Sequence, residues 1–130
     1  MNRRIAITAT LAALVATPAV AQNRTNGDVL RDLIETVIAS GDTSTLGEYV
    51  TSDVAIADYG VSGIDAFREV SDTGHQGRQT QYDDYSFEIV SIAESDEWAH
   101  ALVRFTGDGE SRSVFYAARF SDGLISELYL

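Results

Sequence analysis

Four stretches in the second half of the chain alternate apolar and polar residues with a period of two. Tyr85 to Ala93, Trp98 to Phe105, Ser111 to Phe120 and Leu124 to Leu130 are separated by Glu94 to Glu97, Gly107-Asp108-Gly109 and Asp122-Gly123. Alternation sends successive side chains to opposite faces, and Asp-Gly pairs tolerate the positive φ of a tight hairpin. The pattern predicts a meander of antiparallel strands, with Asp108-Gly109-Glu110 as a hairpin turn and not a calcium loop.

The first half carries a different period. Asn26 is placed to cap a helix in which Val29, Leu30, Leu33, Ile34, Val37 and Ile38 recur at helical spacing to about Ser40. Gly41-Asp42 ends it and opens a short second helix with Leu46, Tyr49 and Val50. Asp53 to Tyr59 then reads as a strand that puts Val54, Ile56 and Asp58 on one face. Ser62-Gly63-Ile64-Asp65 resembles a capping box, opening a third short helix with Ile64, Phe67 and Val70 as its buried stripe. Ser71 to Asp84, with Gly74, Gly77 and three glutamines, reads as a polar loop that is either mobile or a lid. Helices followed by hairpins make an α+β order, and 130 residues suffice for one modest core.

The amino-terminal residues follow another logic. Arg3 and Arg4 precede the apolar run Ile5 to Val15, then Pro18 leads into Ala19-Val20-Ala21. This is the pattern of a secretory signal peptide over 1–21, cut before Gln22, with the folded domain spanning 22–130. The expected location is periplasmic or secreted. The chain has no cysteine, so no disulfide contributes to the fold of the exported domain. All nine cations are arginine against 20 acidic residues, and losing Arg3 and Arg4 moves the formal charge from −11 to −13. Such acidity argues against nucleic acid and, after cleavage, against anionic membranes.

The order of these segments resembles a known family: a helix ending at Gly41-Asp42, Asp53 before a strand, Gly63-Ile64 opening a helix, and a strand pair around Arg119-Phe120-Ser121-Asp122-Gly123-Leu124-Ile125-Ser126-Glu127. It is similar to the SnoaL-like domains of the nuclear transport factor 2-like superfamily, which also holds ketosteroid isomerase, polyketide cyclases and domains of no known activity. The resemblance spans Val29 to Leu130. It implies a cone of three N-terminal helices packed on a curved, mostly antiparallel sheet, with an apolar pocket inside and a homodimer across the sheet's outer face. By parity, Ala99, Ala101, Val103 and Phe105 face inward with Val114, Tyr116, Ala118 and Phe120. Trp98, His100, Leu102 and Arg104 face outward with Ser113, Phe115, Ala117 and Arg119, an apolar surface suited to a partner sheet. Expected pocket-lining residues are Ile34, Tyr49, Ile56 and Phe67 from the first half, and Ala101, Val103, Val114 and Ala118 from the sheet.

Two residues are candidates for chemistry. Asp58 falls at the position of the general base in ketosteroid isomerase, and Tyr116 stands where that enzyme has a protonated aspartate, so a phenol would donate to a substrate oxyanion. Ile34 replaces the oxyanion tyrosine of the first helix. Glu127-Leu128-Tyr129-Leu130 lacks the histidine and aspartate of the cyclases. His100 belongs to the outer face and His75 to the solvated loop, while Tyr49, Tyr59, Tyr85 and Tyr129 suit core or pocket lining. No metal-ligand spacing, phosphate loop or dinucleotide fingerprint occurs, and no cofactor is expected. The leading expectation is a domain that binds a small, largely apolar molecule. The alternatives are a cofactor-independent isomerase or cyclase using Asp58 and Tyr116, and a dimeric interaction scaffold with a plugged cone.

Overall fold

The computed structural model describes residues 24–130, so the expected signal peptide and its expected cut before Gln22 lie outside the described residues. The first helix, α1 (Asn26–Asp32), is capped one residue earlier than the sequence predicts. Thr25 Oγ1 accepts from Asp28 N–H at 3.1 Å while Asp28 accepts from Thr25 N–H at 3.2 Å, a reciprocal capping box. The helix continues as a π-helical segment, Leu33–Ile38, in which Ala39 N–H donates to Ile34 O. Gly41, at φ 79°, then turns the chain. Asp42 accepts a backbone hydrogen bond from Ser44, which holds its carboxyl below the usual range. The second helix is reduced to one 3-10 turn, Leu46–Glu48.

Strands β1 (Val50–Ile56), β2 (Val61–Ser62), β3 (Tyr85–Glu94), β4 (Trp98–Gly107), β5 (Glu110–Ser121) and β6 (Leu124–Tyr129) form one sheet in the order β2-β1-β6-β5-β4-β3. The meander β3 to β6 is antiparallel throughout, and only β1 with β6 is parallel. Register shifts at Ile89/Ser91, Arg119/Phe120 and Val50/Ala55 bend the strands. Bulges of this kind increase local twist and curl a sheet around a core.

Two expectations about the first half need correction. The strand stops at Ile56, and Ala57–Tyr59 is a 3-10 turn ended by Gly60 at φ 68°. Strand parity therefore does not extend to Asp58. The second correction concerns 71–84: the third helix does not stop near Val70 but runs as α2 from Ile64 to Gln81. Its cap is Gly63, at φ 100° and without a side-chain hydrogen bond, so the Ser62 capping box does not form. Only Tyr82 to Asp84 remain as a connection to β3.

The inward face of β4 explains how the cone fills. Ala99 and Ala101, with Ala118 of β5 beside them, are small enough for α1 to lie close over the sheet. Leu30, Leu33, Ile34 and Val37 occupy that half of the cone and are fully buried. Inward and outward positions alternate along β4 and β5 as parity predicts.

Candidate functional site

Beyond Ile38 the helix no longer fills the cone, and a cavity of about 90 Å³ remains between α2, the Ala57–Tyr59 turn and the wall made by β5 and β6. Ile38, Ile56, Phe67, Val70, Leu128 and Leu130 give it apolar sides. Ser71, Gly74 and Arg78 enter from α2, at the i, i+3 and i+7 spacing that keeps them on one helix face, and Tyr116 enters from β5. Tyr59, Val70 and Gly74 also border a recess of about 310 Å³ at the surface, shared with Glu69 and Thr73. Tyr59 is 57% exposed and forms the rim between the two spaces.

The electrostatics of this wall are set by Arg78. Its Nη2 donates to Ile38 O at 2.6 Å, and its guanidinium lies 5.0 Å from the Phe87 ring centre and 5.7 Å from that of Tyr85. Such stacking on aromatic faces is a favourable setting for a weakly hydrated cation. No carboxylate pairs with it among the described residues. Tyr116 is only 5% exposed, and burial raises its phenol above the ordinary value against the lowering pull of Arg78. The phenol is a proton-bearing donor at neutral pH.

Of the residues the sequence proposes, Ile56, Phe67, Tyr59 and Tyr116 border the cavity. Ile34, Tyr49, Ala101, Val103 and Ala118 are instead packed in the core, and Val114 lies partly buried against it. They fill the cone because α1 sits directly on the small residues of β4. Asp58 is exposed in its turn, and its Oδ2 accepts from Leu130 N–H at 2.9 Å. That bond ties the turn to the end of β6 and directs the carboxylate away from the inward position expected for a base.

His75 is not a solvated loop residue. It lies on α2, its Nδ1 hydrogen-bonds Tyr85 Oη at 2.9 Å, and a Cβ at Gly41 would overlap its ring. His100 stacks between Trp98 and Phe115 on the outer face, with ring centres at 6.0 and 5.7 Å. Among the described residues no three metal-ligating side chains converge, and no helix is long and apolar enough to cross a membrane.

Sequence reasoning missed Ser71, Gly74 and Arg78 because it ended the helix before them. The signal was present: Phe67, Val70, Ser71, Gly74 and Arg78 keep one helical stripe, and no proline interrupts 64–81. The stripe was concealed by its composition, since its second half is serine, glycine and arginine.

No curated protein sequence matches this chain. Solved structures do match the fold. A SnoaL-like polyketide cyclase from Agrobacterium tumefaciens superposes with a TM-score of 0.64 at 13% identity, over 82% of this chain and 89% of its own. A candidate ketosteroid isomerase from Kribbella flavida gives 0.61 at 14% identity, over 80% of this chain and 74% of its own. A de novo designed protein with a curved β-sheet gives 0.58 at 13% identity, over 78% and 82%. Identities this low carry the architecture and not the activity. The sequence profile of the SnoaL-like domain matches residues 30–128, from the buried face of α1 through β6, and the chain belongs to that family.

Proposed function

We propose that this SnoaL-like domain is an exported binding module that holds a small, largely apolar molecule in the cavity between α2 and β5–β6. The observation that carries the reading is the cavity itself: a mostly apolar hollow, joined to a surface recess through Tyr59, beside the buried core cluster. A space of about 90 Å³ is less than the roughly 150 Å³ in which an engineered apolar cavity takes up benzene. The buried part of the ligand is correspondingly small, with the remainder lying on the recess. Proton-transfer catalysis by Asp58 and Tyr116 has less support, because the Asp58 carboxylate is exposed and engaged with Leu130. Export rests on the Arg3-Arg4, Ile5 to Val15 and Ala19-Val20-Ala21 pattern.

Native mass spectrometry of the purified mature protein should find a co-purifying small molecule, and Val70→Trp, which fills the cavity mouth, should remove it. Absence of any such species, together with no cavity-localised NMR shifts on adding isobutanol, would overturn the binding function.

A further inference from the structure

Five buried side-chain polar atoms lack a hydrogen-bond partner among the described residues, and two of them, Ser71 Oγ and Arg78 Nε, belong to residues of the cavity wall. A buried donor without an acceptor is costly to a fold, and beside a cavity a small side-chain shift lets a bound group supply that acceptor. Tyr116 brings a third polar side chain to the same wall, its phenol within the field of Arg78. A serine hydroxyl, a phenol and a guanidinium N–H are all able to donate, whereas no Asp or Glu side chain lines the cavity. The guanidinium is also held in place, by Ile38 O at one nitrogen and by the Tyr85 and Phe87 rings, so little ordering is required when an acceptor arrives.

We infer that the ligand is a small monocarboxylic acid whose carboxylate accepts from Arg78 Nε, Ser71 Oγ and Tyr116 Oη. Its apolar body lies against Ile56, Phe67 and Val70 and reaches the rim at Tyr59. This rests on the cavity being a binding site and adds the chemical class of what it holds. Two charges oppose it. Glu69 stands on the recess and Asp58 accepts from the N–H of Leu130, a residue of the cavity wall, but neither carboxylate is part of the cavity lining, where Arg78 is the charged side chain. Glu69 at the mouth selects against a second carboxylate on the exposed end of the ligand.

The test is an amide-resolved NMR titration of the mature domain with isobutyrate, isobutyramide and isobutanol, which match in size and differ in the head group. Isobutyrate should shift the resonances of Ser71, Gly74 and Tyr116 and bind about tenfold tighter than isobutyramide, as charge-assisted pairing implies. Arg78→Met, which keeps the apolar stem and removes the guanidinium, should erase the preference for isobutyrate over isobutyramide. If Arg78→Met does not fold, Ser71→Ala provides the second arm and should weaken isobutyrate severalfold more than it weakens isobutanol. Equal affinities for acid and amide in the unaltered protein would overturn the carboxylate assignment while sparing the pocket. Failure of all three probes to bind would overturn both.

Discussion

A phenol buried among apolar side chains keeps its proton, and at Tyr116 that preference becomes a dependence of stability on pH. Folding raises its pKa by desolvation, so the folded chain retains a proton that the unfolded chain loses above the ordinary value of 10.0. The stabilisation is complete below that value and declines as pH rises through the folded one. Alkaline denaturation followed by circular dichroism should therefore show a stability loss beginning near this range, and Tyr116→Phe should flatten it. Asp58 behaves differently because its partner is a backbone N–H at an exposed turn. Asp58→Ala should lower stability by at most about 1 kcal/mol, the worth of one solvent-accessible hydrogen bond to a charged acceptor, and leave isobutanol binding intact. A thermal melt beside the NMR titration checks both halves. Loss of binding without loss of stability would restore Asp58 to the site.

Helix α2 is the element on which the site depends, and its glycines make it testable. Gly77 is helical and exposed, and a Cβ there would meet no atom within 4 Å. Gly77→Ala should raise stability by about 0.5–1 kcal/mol in chemical denaturation, the usual gain in an exposed helix interior. A mobile loop at this position would show no such gain. Gly41 is the opposite case, with φ 79° and the His75 ring where a side chain would go, so Gly41→Ala should cost more than about 1 kcal/mol. These elements also show what the sequence makes legible. The meander was readable because β4 alternates strictly, β3, β5 and β6 do so over most of their length, and the turns between them have their own chemistry; Asp108 and Asp122 do adopt positive φ. α1 was readable from a continuous apolar stripe. α2 was not, because a helix that lines a polar pocket wall replaces leucine with serine, glycine and arginine, and so loses the periodicity by which helices are recognised. Asp58 was misplaced for a related reason. A strand and the 3-10 turn that follows it share an apolar-polar alternation over three residues, and the hydrogen bond from Leu130, 72 positions away, has no local signature.

At the scale of the molecule, one surface stands out. Trp98, His100, Phe115 and Tyr129 form a connected aromatic row on the outer sheet face, with Trp98 and Tyr129 ring centres 5.9 Å apart and Phe115 56% exposed. Ala117 lies opposite His100 on β4 and Tyr129 on β6, so nothing bulky interrupts the row between those strands. An apolar row of this extent on an exposed sheet face suits a second copy, and we expect a homodimer by light scattering coupled to size exclusion. Phe115→Glu should yield a folded monomer, since the ring is already half out of the protomer. Intact-mass analysis of the extracytoplasmic protein should likewise give an N-terminus at Gln22; a full-length cytoplasmic chain would remove the export assignment. The parallel seam between β1 and β6 has a consequence in time. Hairpins β3 to β6 close over short turns, whereas pairing Val50 with Ile125 requires most of the chain to loop back. Loop closure of that length is entropically late, so the meander should assemble first and β1 should dock last. The cavity, bounded by Ile56 on one side of that seam and Leu128 on the other, would then be the last part of the domain to come into existence as it folds and the first to be lost as it opens.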